Sequence, residues 1–175
     1  MQHKVIAKTE LEKVLTQASK KEMIDFLLAH PAYFEEAMGL ALSDKQPFSW
    51  RAAWLLSDCI VPNDARVTSY LPQIVAILPT TKDAQFRELI KVLLEMRVPE
   101  ELEGVLFSLC VEKWKDLSMA PAVRYNAFRM MLAIRNKYPE LHHEIELLSS
   151  AEYLDSLSRG VKHSVQKMLQ GIVST

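Results

Sequence analysis

Glycine is scarce in this 175-residue chain: Gly39, Gly104, Gly160 and Gly171 are all it has, and they are widely dispersed. A phosphate-binding loop needs clustered glycines so that backbone amides can cradle the anion, and their dispersal excludes a P-loop or Rossmann enzyme. No G-x-S-x-G elbow is present either. Cysteine is scarcer still, with only Cys59 and Cys110, and no C-x-x-C pair exists. Both cysteines lie in apolar helical contexts, which predicts buried thiols in a reducing compartment, not a disulfide. No run reaches the roughly 18 apolar residues that a membrane span requires, and the N-terminal stretch MQHKVIAKTELEKVL lacks the apolar core of a secretory leader. A cytoplasmic chain is the expectation. An excess of one charge is lacking too: 21 Lys and Arg face 22 Asp and Glu, for a formal net charge of −1. No global field therefore steers the protein toward nucleic acid or anionic membrane.

What is present is an ordinary globular balance, 49% hydrophobic and 25% charged, with enough length to bury a core as one domain over 1–175. Apolar residues recur at offsets 0, 3, 4 and 7 nearly everywhere, whereas strand-like alternation is hard to find, so the predicted class is all-α. Thr9 with Glu12 and Ser19 with Glu22 fit capping boxes and start two short helices within residues 1–30. Pro31, Pro99, Pro121 and Pro139 suit first helical turns, with Glu100, Glu101 and Glu140 complementing the dipole there. Stops fall near Val61-Pro62-Asn63-Asp64 and Leu78-Pro79. These signals predict helices near 31–43, 48–61, 67–79, 83–96, 99–117, 121–137, 139–154 and 159–173.

The eight helices make four pairs with similar apolar patterns. First helices carry Phe34/Ala37/Met38/Ala41, Leu71/Ile74/Val75/Leu78, Leu102/Val105/Leu106/Leu109 and Leu141/Ile145/Leu148. Second helices carry Trp50/Ala53/Trp54, Phe86/Leu89/Ile90/Leu93, Val123/Ala127/Met130 and Val161/Val165/Met168. A basic residue follows each leading apolar one: Arg51, Arg87, Arg124 and Lys162, spaced by 36, 37 and 38 positions. A period of this size marks an array of supersecondary units.

Pro121-Ala122-Val123-Arg124-Tyr125-Asn126-Ala127, and more loosely Ser49-Trp50-Arg51-Ala52-Ala53-Trp54, resemble the second helix of HEAT and armadillo-like repeats, which often opens apolar, arginine, then a small residue one turn on. Phe86-Arg87 lacks that small residue, and Lys162 replaces the arginine. The resemblance covers about 31–173 and implies an α-α superhelix, a solenoid of four to five stacked hairpins, with a concave face lined by second helices. An irregular bundle of ten helices is the alternative.

The basic series has two readings. On stacked helices it could form a ladder that grips carboxylates or phosphates, or each cation could tie one helix to a neighbour. The concave-face binding candidates are Arg51, Arg87, Lys91, Arg124, Arg129, Lys162 and Trp50, and the partner expected is a protein or peptide. The resemblance also implies an alternative, nucleic-acid binding of the kind seen in HEAT-like DNA glycosylases, which the charge balance disfavours. Trp50 and Trp54, one turn apart, are read as core, with Trp50 partly exposed. Trp114, between Lys113 and Lys115, is expected to lie partly open. Glu140 and His143 have the Glu-x-x-His spacing of di-iron bundles, but no other histidine, His3 included, repeats it. The Glu140–Glu146 run is read as a solvated helix face, and the cationic stretch Ser158–Lys167 as a solvated terminal face that caps the array. No metal, cofactor or catalytic set is predicted.

Overall fold

The structure, a computed structural model, describes residues 7–173, so His3 and the first six residues of the N-terminal stretch lie outside it. Regular structure among the described residues consists of twelve α-helices and three 3₁₀ turns, without a strand. The all-α expectation holds. The chain gathers into two compact units, Met1–Met96 and Arg97–Thr175.

In the first unit, α1 (Glu10–Gln17) and α2 (Lys20–Ala29) both begin with complete capping boxes. The Thr9 hydroxyl accepts from the Glu12 amide at 3.2 Å, and the Glu12 carboxylate accepts from the Thr9 amide at 3.3 Å. A 3₁₀ turn opened by Pro31 leads into α3 (Phe34–Ala41). Helix α4 (Phe48–Cys59) packs against α1, α2, α3 and the later α7 (Asp83–Leu94). Ala37, Ala41, Ala52 and Ala53 are all fully buried, so small side chains let α3 and α4 pack closely. After α4 the chain turns through Asn63 at φ 56°, the left-handed region that asparagine tolerates. Its amide donates to the Glu95 carbonyl at 2.8 Å. Asp64 then caps the single-turn α5 (Ala65–Thr68), and α6 (Leu71–Ile77) follows. The helix expected over 67–79 is therefore broken near Ser69, with Pro79 inside a terminal 3₁₀ turn.

The second unit is built on α8 (Glu100–Lys115) and α9 (Pro121–Arg135), with α10 (His142–Leu147), α11 (Ala151–Leu154) and α12 (Arg159–Val173) following. Pro121 starts α9 and Pro139 starts a 3₁₀ turn, as their fixed φ favours, but Pro99 sits one position earlier than predicted, at the N-cap of α8. The helix expected over 139–154 is split by a turn near Ser149 and Ser150. There the Ser149 hydroxyl donates to the Ile145 carbonyl at 2.7 Å.

Most apolar stripes fall where the periodicity put them. The Phe34 and Leu71 series are buried throughout, as are Phe86, Leu89, Ile90 and Leu93 and the Val123 series. Each such leucine, isoleucine or phenylalanine contributes about 1.5–3 kcal/mol by leaving water. The stripe of α8 is rotated instead. Glu103, Leu106, Phe107, Cys110 and Trp114 are inside, while Val105 is 61% exposed and Leu102 half-buried. Trp114, expected to lie partly open, is wholly buried. Its indole N–H donates to the Leu148 carbonyl at 2.8 Å, and its ring lies 4.4 Å from that of Phe128. Both cysteines are free and buried.

Candidate functional site

Three polar side chains near the starts of second helices do the same job: each donates to carbonyls at the end of an earlier helix. The last carbonyls of a helix have no partner within it and must be satisfied from outside. Arg51 of α4 donates from Nη1 to the Leu15 carbonyl near the end of α1 at 2.6 Å. In α7 the donor is Gln85, whose amide reaches the carbonyls of Ala41 and Ser43 at 2.8 and 2.9 Å, just at the end of α3. Arg124 of α9 donates from Nε to the Trp114 carbonyl in the last turn of α8 at 2.9 Å. Its two other nitrogens reach the Ser156 hydroxyl at 2.7 Å and the Tyr153 carbonyl at 2.9 Å, and its guanidinium lies 4.7 Å from the Trp114 ring. Arg124 is 1% exposed, and this burial lowers its pKa from the usual value against the opposing pull of Asp116.

The remaining candidates are engaged differently. Arg87 and Lys91 meet on one carboxylate, that of the fully buried Glu88, at 2.8 and 2.7 Å. The Ser57 hydroxyl of α4 lies 3.4 Å from the same group. Lys162 pairs with Asp155 at 2.6 Å across an exposed surface. Arg129 donates to the Asn126 side chain at 3.2 Å, with its guanidinium 5.8 Å from the Tyr125 ring. Trp50 and Trp54 are both half-buried, not core. The Arg51 guanidinium sits 5.0 Å from the Trp50 ring, and the Lys20 ammonium 5.1 Å from that of Trp54.

The second unit also holds an open cleft of about 650 Å³ between one face of α8, the end of α9 and the segment 138–144. Its floor is apolar, from Phe107, Val111, Ile134 and Leu141. Glu100, Glu112, Glu140 and Glu144 stand exposed around it, and none of the lining residues is a lysine, arginine or histidine. Glu103, also in the wall, is 3% exposed. Lys137 binds its carboxylate, and the Tyr138 hydroxyl donates to it at 2.7 Å. That hydrogen bond, then burial, then the charges of Glu103, Glu100 and Glu140 push the Tyr138 phenol up to about 12. Helices give local reasons for some of these acids: Glu100 and Glu103 lie in the first turn of α8 and Glu144 in that of α10, beside the positive end of the dipole. Glu112, in the last turn of α8, has no such reason.

Sequence reasoning did not single out this cleft. Its acids come from two segments, 100–112 and 140–144, and only packing brings them around one apolar floor. The Glu140–Glu146 run is indeed exposed at both histidines, with His142 Nδ1 accepting from Arg135 at 2.8 Å. No group of three or more described His, Cys, Asp or Glu side chains is spaced to hold a metal ion. No described helix is long and apolar enough to cross a membrane.

Paired helices repeating at about 37 residues, with second-helix side chains closing the ends of earlier helices, define a helical-repeat protein. The comparison with protein families gives the particular class. A model of the HEAT repeat domain matches residues 7–172, and the chain belongs to that family. No curated protein and no solved structure matches it.

Proposed function

We propose that this chain is a protein-binding module that works without chemistry of its own, holding a segment of a partner protein against its exposed helical surface. The observation that carries this reading is the open cleft of the second unit, whose apolar floor and ring of polar groups have the make-up of a recognition site. Membership of a repeat family that presents extended surfaces supports it.

Within this reading the basic series holds the fold together. Arg51, Arg87, Lys91, Arg124 and Lys162 all direct donors to acceptors of their own chain, which favours ties over a ladder open to ligands. Trp50 with Arg51 remains a small aromatic surface where a concave-face contact would fall. Two unpaired buried thiols suit a reducing compartment such as the cytoplasm.

The test is capture from a lysate with the full chain as bait, with and without nuclease. A protein retained after nuclease treatment, and displaced when the cleft is blocked by Gly104→Leu, supports the reading. Nucleic acid recovered at low salt and lost as salt rises would replace it with the repair-type alternative.

A further inference from the structure

We propose that the cleft between α8, the end of α9 and the 138–144 segment receives a cationic amphipathic helix of a partner protein; this rests on the protein-binding reading above and names the chemistry of the occupant. Apolar side chains of the guest, spaced one helical turn apart, would enter against Phe107, Val111, Ile134 and Leu141. Lysines and arginines on its flanks would meet Glu100, Glu112, Glu140 and Glu144.

The sorting of charge is local. The second unit carries ten Lys and Arg and ten Asp and Glu, so its acidic cleft does not reflect an acidic unit. Lys137 balances Glu103, and the four exposed carboxylates around the floor make a negative field there, which repels a nucleic-acid backbone and attracts a basic peptide. Glu103 adds rigidity, because Lys137 and Tyr138 fix its carboxylate in the wall. Glu100, Glu112, Glu140 and Glu144, by contrast, are exposed.

Gly104 supplies an independent observation. It stands inside α8 and lines the cleft, where glycine weakens a helix. A Cβ added there would meet no atom within 4 Å, so packing within this chain does not require glycine. What its absence of a side chain does provide is a bare stretch of α8 that a guest helix can approach closely.

The experiment is selection of displayed helical peptides, with charged and apolar positions randomised, against the full chain. Selected sequences should pair apolar residues at i, i+3 and i+4 with flanking lysine or arginine, and their binding should weaken as salt rises. The double variant Glu112→Lys/Glu140→Lys should lower the affinity of a selected peptide at least about tenfold. Gly104→Leu should do the same by filling the floor, with helical content unchanged. Glu101→Lys/Glu146→Lys, the same charge change at exposed positions outside the lining, should leave affinity within about twofold. Selection without cationic bias, failure to select any binder, or equal losses from the two double variants would overturn the inference. If a protein is still captured from lysate after any of these results, the protein-binding reading survives and only the cationic occupant is lost.

Discussion

A guanidinium closes a helix end in both units, Arg51 in the first and Arg124 in the second, but α7 of the first uses an uncharged donor for the task. In the first, a neutral amide, Gln85, gives two hydrogen bonds to the end of α3; in the second, a buried guanidinium, Arg124, gives one to the end of α8 and two more to Tyr153 and Ser156. Neither finds a carboxylate. The shared requirement is to satisfy carbonyls that have no intrahelical partner, and charge is incidental to it. This explains why the basic position of the repeat is kept at Arg51 and Arg124 yet bypassed in α7, where Gln85 serves and Arg87 turns to Glu88 instead.

That comparison orders the expected losses. Arg124→Leu should cost about 3 kcal/mol in urea unfolding, because the buried Trp114 carbonyl loses its donor and the half-buried bonds to the Tyr153 carbonyl and the Ser156 hydroxyl go with it. Gln85→Leu should cost about 2 kcal/mol, since it strands two carbonyls but removes no buried charge. Arg51→Leu should cost about 1 kcal/mol, as one hydrogen bond at a half-buried site is lost. A Gln85 variant as mild as a surface substitution would break the parallel between the units.

Two smaller effects belong to the cleft. Gly104→Ala should stabilise the chain by about 0.5–1 kcal/mol, read as a raised melting temperature, because the helix gains propensity and nothing is displaced. The smallest effect is a slope with pH. The folded state favours the neutral Tyr138 phenol, whose pKa is raised from 10 to about 12. Its hydrogen bond to Glu103 therefore stabilises the fold below pH 10, and this contribution is lost as pH climbs to about 12. The stability gap between the native chain and Tyr138→Phe should close across that interval.

Much of this fold could be read from the residues. Thr9, Ser19, Pro121 and the Phe86 stripe act through neighbours within one or two turns, and local pattern captures such effects. The phase of α8 and the cleft escape local pattern for one cause. Apolar periodicity phases the stripe of α8 on Leu102 and Val105 and leaves Glu103 outside it, yet Glu103 is buried, with partners at Lys137 and Tyr138 more than thirty residues away. Turning the helix to bury Glu103 carries Trp114 inside and Val105 out. Lys113 and Lys115, which made Trp114 look exposed, occupy other faces of the helix. The cleft was hidden for the same reason, since carboxylates that read as a solvated face become a site only when α8 and the 138–144 segment meet.

The two thiols carry one more consequence. Cys59 lies in the first unit and Cys110 in the second, both free and buried. Burial first, and then Asp58, raises the Cys59 thiol to about 11, and burial alone raises that of Cys110 further. At neutral pH neither is a nucleophile until its surroundings open to water. The unmodified chain thus contains a separate chemical reporter for each half: labelling by a thiol reagent at a single rate would mean that both halves open together, and two rates would time the breathing of each on its own.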